Sequence, residues 1–280
     1  MTSAPQNPPA LSLNAATVVL VGAGKMGAAL LEGWIGLGVD PARIVVLEPQ
    51  PTASIEALSA RGLRMNPDVA FVRPDAIVVA VKPQVAPEVM PNVASLVSPS
   101  TIMVSIMAGR TIAFLAGALP RGAAVVRAMP NTPAAIGRGI TVAVPNSHVD
   151  PAQRQLADAL LRATGAVEWV DDEGLMDAVT AVSGSGPAYV FLLAESLARA
   201  GEKAGLPPGL AARLARATVT GSGELLHRSS AEPAILRQNV TSPGGTTAAA
   251  LAVLMAPDGL DPLMERAIAA ATRRGRELAG

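Results

Sequence analysis

The chain has 280 residues, enough for one large domain or two modest ones. Half are apolar, 16% are charged, and 22 basic residues balance 22 acidic ones, so neither a basic surface nor an aromatic platform points to nucleic acid. The absence of cysteine excludes disulfides, thiol catalysis and zinc–thiolate sites, and the histidines, His148 and His227, lack the i, i+4 partners of a metal motif.

Residues 1–15 read as a polar, proline-bearing leader that is expected to be disordered, without the charged start and apolar core of a secretory signal. The uncharged stretches 89–109, 178–194 and 239–257 are each broken by proline, so none reads as a membrane span. They are expected in buried core or in subunit contacts of a cytoplasmic protein with no membrane or nucleic-acid partner.

From residue 17 onward, short β-branched runs alternate with helical segments. Strands are predicted over 17–21, 44–47, 76–81, 101–106, 124–127, 140–144 and 167–170. Helices are predicted over 26–37, 87–97 and 151–164, the last opening on the good start Asp150-Pro151. Several strands are almost wholly apolar, as expected for a sheet covered on both faces. The pattern predicts an α/β fold: a Rossmann domain over 16–172, doubly wound around a mostly parallel sheet.

Beyond residue 172 the β signal ends, and 175–204 (interrupted by Ser183-Gly184-Ser185-Gly186-Pro187), 208–227, 246–255 and 262–278 predict an all-α domain over 173–280. The helix expected over 188–204 is apolar nearly all round in its first two turns, with Glu195 its earliest charge. A helix without a polar face is buried on several sides, which in so small a domain implies a second subunit.

Two segments carry anion-binding chemistry. The first, Gly22-Ala23-Gly24-Lys25-Met26-Gly27, follows an apolar strand, opens a helix, and is followed at Glu48 by an acid ending the next strand. That context is what the dinucleotide fingerprint requires: Gly22 for the tight turn, Gly24 for backbone approach to the pyrophosphate, Gly27 for close helix–strand packing. Glu48 can accept both ribose hydroxyls of NAD and repels the 2′-phosphate of NADP, and Pro49-Gln50-Pro51 offers no arginine to compensate. NADH is therefore the predicted cofactor, in preference to NADPH. Ala80-Val81-Lys82-Pro83-Gln84 and the loop 105–109, with Met107 and Ala108, end later strands on the same edge and are candidate cofactor contacts. Lys82 is compatible with two readings, facing a ligand or capping its loop.

The second segment, Val240-Thr241-Ser242-Pro243-Gly244-Gly245-Thr246-Thr247, leads into an alanine-rich helix. Backbone N–H groups, hydroxyls and a helix start together suit a carboxylate or phosphate. The same residues also make an ordinary helix cap, and on the residues alone both readings stand.

Five motifs in this order resemble pyrroline-5-carboxylate reductases: Val21 through Gly27, Ala80 through Gln84, Arg127-Ala128-Met129-Pro130-Asn131-Thr132-Pro133, Ser183 through Tyr189, and Asn239 through Thr247. The first is shared by many dehydrogenases, whereas the last two are specific. The resemblance implies reduction of the C=N bond of 1-pyrroline-5-carboxylate by NAD(P)H to L-proline, the last step of proline biosynthesis. It implies a Rossmann domain followed by helices that intertwine into a homodimer, with dimers assembling further, commonly into decamers, and an active site to which the partner contributes. It also implies Val21, Gly22, Ala23, Gly24, Lys25, Met26, Asn66, Ala80, Val81, Lys82 and Pro83 as cofactor contacts. Glu48-Pro49-Gln50 departs from the small polar residue and arginine that many members carry, which bears on cofactor choice and not on the reaction.

With that substrate, the carboxylate is assigned to the backbone and hydroxyl of Ser242 and to Gly244, Gly245 and Thr246, with Asn239 beside them. Thr247 is the candidate catalytic residue, orienting the ring nitrogen by a hydrogen bond. Imine reduction needs little acid–base equipment, in keeping with the lack of a His–Asp or Tyr–Lys pair. The rival readings are another imine reductase, a β-hydroxyacid dehydrogenase relative and a non-catalytic nucleotide-binding regulator. Lys203, at the far end of its helix, is poorly placed for the second, and an intact substrate loop argues against the third.

Overall fold

A computed structural model describes residues 13–279. Its strands are β1 (Val18–Val21), β2 (Ile44–Leu47), β3 (Arg64–Met65), β4 (Ala76–Val79), β5 (Ile102–Ser105), β6 (Ala124–Met129), β7 (Gly139–Pro145) and β8 (Gly165–Trp169). They form one sheet in the order β3-β2-β1-β4-β5-β6-β7-β8, parallel at every pairing except β6 with β7. The chain winds from β1 out to β3, then crosses back to place β4 on the other side of β1. That reversal leaves a crevice at the carboxyl ends of β1 and β4, where open α/β sheets bind their ligands.

Helices α1 (Lys25–Gly36), α2 (Ala53–Ser59), α3 (Ala86–Leu96), α4 (Ile112–Gly117) and α5 (Pro151–Arg162) cover the sheet. All four residues of β1 are buried, because alternate side chains enter two different layers. Val18 and Leu20 join Leu30, Leu31 and Trp34 of α1 and Leu156, Leu160 and Leu161 of α5. Val19 and Val21 join Met90 and Val93 of α3 and Leu115 of α4. The indole N–H of Trp34 donates to the Leu160 carbonyl at 2.8 Å, so burying that ring leaves no orphan donor.

The alternating pattern thus yields the predicted doubly wound sheet, with β3, α2 and α4 added. A two-residue edge strand has no periodicity to read, and helices of seven and six residues complete at most two turns. Of the expected disordered leader, residues 1–12 lie outside the described residues. Leu13–Ala15 instead form a 3-10 turn, held where the Ala15 carbonyl accepts from the Arg43 guanidinium at 2.6 Å.

The chain divides into two compact units, Met1–Gly184 with Arg273–Gly280, and Ser185–Thr272. In the first, α6 (Met176–Val179) continues into a π-helical turn, Thr180–Gly184. The second contains α7 (Gly186–Lys203), α8 (Pro208–Arg228), α9 (Pro233–Asn239), α10 (Thr246–Leu254) and most of α11 (Leu260–Ala279). The last turns of α11 belong to the first unit: a Cβ on Gly275 would lie 3.1 Å from Asp177 Oδ1, and one on Gly109 would lie 3.6 Å from the Leu278 carbonyl oxygen.

Helix α9 was not predicted, being a seven-residue piece that begins on Pro233. Helix α7 begins two residues before the predicted 188, since Pro187 suits a first turn. No residue of α7 is buried within the single chain, and Phe191 is 64% exposed. Leu192, Leu193 and Leu197 of α7 and Leu214 of α8 are exposed with it. Large apolar side chains exposed in this number on two helices suit a protein–protein contact. No helix among the described residues is long and apolar enough to cross a membrane.

Candidate active site

The three loop glycines differ in what surrounds them. Gly22 has φ +90°, and a Cβ there would sit 2.8 Å from Val81 Cγ1 and 2.9 Å from the Ala80 carbonyl oxygen. Only glycine fits that turn. A Cβ on Gly27 would strike the Gly22 carbonyl and come within 3.3 Å of Ala80 Cβ, so helix and strand touch through backbone. At Gly24 a Cβ would meet nothing within 4 Å, and Gly24 begins α1 with no side chain capping it. The open space at Gly24, facing the positive end of a helix, fits a dinucleotide pyrophosphate. Val21 and Ala23 are buried, Lys25 is exposed and Met26 half-buried.

Glu48 lies immediately after β2, half-buried, with its carboxylate turned toward that loop. Its Oε2 accepts the Ala23 N–H at 2.9 Å and its Oε1 accepts the Gln50 N–H at 3.0 Å. Asn66, just past β3, binds the Glu48 backbone from both sides: its Oδ1 accepts the Glu48 N–H and its Nδ2 donates to the Glu48 carbonyl, each at 2.9 Å.

Beyond β4, the Ala80 N–H donates to the Val21 carbonyl at 2.7 Å, joining the two loops that flank the crevice. Lys82 is exposed and starts the 3-10 turn Pro83–Val85, but its side chain makes no capping bond there. Arg110 went unnoticed in the sequence. Its Nε and Nη2 both donate to the Pro83 carbonyl, at 3.0 and 2.6 Å, while its guanidinium stacks 4.5 Å above the Phe114 ring. It therefore ties the Lys82–Pro83 loop to the one after β5. In that second loop Met107 is buried and Ala108 exposed, so the Met107 side chain belongs to the core and Ala108 faces outward.

The motif from Arg127 to Pro133 is structural at its start. Arg127 is buried and pairs with Glu173 at 2.8 Å, a partner that no local pattern reveals because 46 residues separate them. Asn131 accepts the Ile140 N–H at 3.0 Å, closing the loop into β7. Ser183, in the π-helical turn, keeps a buried hydroxyl without a hydrogen-bond partner. A side chain on Gly184 would lie 2.5 Å from Met129 Cε, so this turn rests on the end of β6.

In the second unit, Asn239 ends α9 and the chain turns sharply before α10. The Gly245 N–H donates to the Ser242 carbonyl at 3.0 Å, with Pro243 and Gly244 (φ +68°) between them. Proline second and a positive-φ glycine third make a type II turn. Gly245 then begins α10 with no side-chain cap, followed by exposed Thr246 and half-buried Thr247. A Cβ on Gly245 would lie 2.5 Å from Ser242 Oγ, so the serine hydroxyl occupies the space a side chain would take. Gly245 is itself the N-cap and no side chain caps α10, a geometry compatible with both readings the residues allow.

Residues 173–278 match the family model described as pyrroline-5-carboxylate reductase dimerisation, and residues 17–109 match that of an NADP oxidoreductase, coenzyme F420-dependent. A pyrroline-5-carboxylate reductase from Pseudomonas aeruginosa is 41% identical over 264 residues, spanning 94% of this chain and 96% of that one. The chain belongs to the pyrroline-5-carboxylate reductase family. The Synechocystis reductase is 40% identical over 92% of this chain and 97% of its own. Among solved structures, the Coxiella burnetii pyrroline-5-carboxylate reductase superposes with a TM-score of 0.88 at 34% identity, covering 95% of this chain and all of that one. A Plasmodium falciparum pyrroline carboxylate reductase, solved with NADP bound, superposes with a TM-score of 0.78 at 28% identity, over 96% of this chain and 100% of that one. Membership covers both the glycine loop and the Ser242–Thr247 turn, whereas Arg110 and Glu173 emerge only from the fold.

Proposed function

We propose that this protein reduces 1-pyrroline-5-carboxylate to L-proline with NADH in preference to NADPH, as the last step of proline biosynthesis in the cytoplasm. The observation that carries the reaction is the near-full-length likeness to pyrroline-5-carboxylate reductases, which takes in the Ser242–Thr247 turn as well as the nucleotide loop. In this reading residues 16–172 serve as the dinucleotide-binding domain and 173–280 as the dimerisation and substrate domain, with 173–184 and 273–279 packed in the compact unit of the former. The exposed face around Phe191 supports a homodimer, and further assembly of dimers into a decamer is part of the same reading.

In this reading the backbone around Gly24 and the α1 N-terminus hold the pyrophosphate, and Glu48 accepts the adenosine ribose hydroxyls. Val21, Gly22, Ala23, Lys25, Met26, Ala80, Val81, Lys82 and Pro83 line the same crevice, with Met107 contributing backbone and Ala108 a small outward face. A bound reduced nicotinamide supplies the hydride. Ser242, Gly244, Gly245 and Thr246 hold the substrate carboxylate through N–H groups and a hydroxyl at a helix start, and Asn239 borders them. Thr247 orients the ring nitrogen, which arrives protonated, so that the adjacent carbon accepts hydride, the C=N π pair passes to nitrogen, and the ring nitrogen becomes the secondary amine of proline. Positioning dominates over acid–base work, because a protonated imine accepts hydride readily once it is held against the nicotinamide.

The test is NADH and NADPH oxidation with pyrroline-5-carboxylate, set beside panels of other cyclic imines and 2-hydroxy acids. The expected result is turnover confined to pyrroline-5-carboxylate, with kcat/KM higher for NADH. A higher value with NADPH removes the cofactor preference, and turnover of the other panels alone removes the substrate.

A further inference from the structure

Asn66 has φ +43°, the single positive φ outside glycine among the described residues. Asparagine tolerates this left-handed region better than other side chains, yet the conformation still costs energy and persists where surrounding contacts impose it. Here the contacts are specific. The Asn66 N–H donates to the Val46 carbonyl at 2.9 Å, continuing the β2–β3 pairing by one step. Its side chain then folds back to bind both the N–H and the carbonyl of Glu48, 18 residues earlier. Strand β3 is two residues long and buries little, so its contribution is to deliver Asn66 to that place.

Glu48 in turn spans from β2 to the glycine loop through the Ala23 N–H. A glutamate has three side-chain torsions and, on an exposed strand end, no fixed direction. Both backbone polar groups of Glu48 are held by one amide, so its Cα–Cβ vector is set, and from that fixed root the carboxylate reaches the Ala23 and Gln50 N–H groups. Preorganisation of this sort lowers the ordering cost at binding. We infer that Asn66 is a positioning residue for cofactor choice: by clasping the Glu48 backbone it holds the carboxylate where it accepts ribose hydroxyls and repels a 2′-phosphate. The inference rests on the NADH reading of Glu48. It differs from a direct contact between the Asn66 amide and the cofactor, because the effect of Asn66 must vanish when Glu48 has no carboxylate.

The full-length protein tests this with Asn66→Gly, Asn66→Ala and Asn66→Asp, each made alone and with Glu48→Ala, and with Kd for NADH and NADPH read from nicotinamide fluorescence. Asn66→Gly keeps the positive φ without strain and loses both side-chain bonds, which separates clasp from backbone conformation. Asn66→Gly and Asn66→Ala should cut the NADH-over-NADPH binding ratio about tenfold, the scale of one or two lost hydrogen bonds. Asn66→Asp keeps the acceptor for the Glu48 N–H and should recover part of the ratio. With Glu48→Ala present, Asn66→Gly should leave the ratio where Glu48→Ala alone puts it. Equal weakening of both cofactors by Asn66→Gly, or an undiminished effect without Glu48, overturns the inference. A wild-type ratio at or below one, unmoved by Glu48→Ala, overturns the NADH reading itself; a ratio above one that Asn66→Gly leaves intact overturns the clasp alone.

Discussion

The guanidinium of Arg127 in β6 and the carboxylate of Glu173 meet at 2.8 Å, and the same Glu173 oxygen accepts the N–H of Ile112, the first residue of α4, also at 2.8 Å. One oxygen thereby joins the sheet, a covering helix and the segment leading into α6. Arg127 keeps 6% of its side chain exposed and Glu173 keeps 30%, so the cation is the member that cannot turn to water.

Glu173→Ala should accordingly destabilise the protein by about 1–3 kcal/mol, less than a fully buried pair, by stranding a buried cation and one backbone donor. Glu173→Gln keeps an acceptor for Ile112 and should lose less. Denaturant midpoints read the difference, and a Glu173→Ala protein as stable as the parent would show the pair to be idle.

The glycine loop allows two substitutions to be played against each other. Gly24→Val places its Cβ in open space, so stability should fall by no more than about 1 kcal/mol, the scale of a lost helix N-cap preference, while NADH binding weakens at least tenfold. Gly27→Ala drives a methyl into the Gly22 carbonyl and should cost about 1–3 kcal/mol of stability. If Gly24→Val binds NADH as the parent does, the pyrophosphate does not lie against that glycine.

Thr247→Ala should lower kcat/KM for pyrroline-5-carboxylate by about ten- to a hundredfold, the value of one hydrogen bond to a charged group, with Kd for NADH nearly level. A parallel loss of NADH affinity would move Thr247 out of the substrate site. Gly245→Ala forces Ser242 Oγ aside and should weaken both imine turnover and product inhibition by L-proline. Inhibition that survives unchanged would argue that the carboxylate binds elsewhere.

Phe191→Asp puts a charge among the exposed apolar side chains of α7. Sedimentation should show a shift from dimer or larger species toward monomer, because an interfacial carboxylate without a partner is costly to desolvate. An unchanged mass would place the subunit contact on another surface.

The sequence and the structure agree most where chemistry is local. Gly22 and Gly27 sit in the close surroundings their spacing foretells, because a βα turn built on a parallel strand leaves few alternatives for backbone. The almost unbroken apolar runs of β1, β4 and β5 likewise announce a sheet covered on both faces. Distant pairings stay hidden: Arg110 with Pro83, Arg127 with Glu173 and Asn66 with Glu48 join residues 27, 46 and 18 positions apart. Each depends on which strands become neighbours, and no window of sequence contains that information. Short elements such as β3 and α4 escape for a simpler reason, since their apolar residues are too few to show a period.

The return of α11 to the nucleotide-binding unit has a consequence for synthesis. Gly109 and Asp177 are made early, but Leu278 and Gly275, which pack beside them, follow only after the whole helical unit has been translated. The Rossmann sheet can pair its strands as they emerge, whereas the loop beyond β5 waits for the latest helix to cover it. Folding of the first unit is therefore completed only after the second has been made, and lesions in α11 should be felt at the loop beyond β5, some 170 residues upstream, about the separation of Gly109 and Leu278.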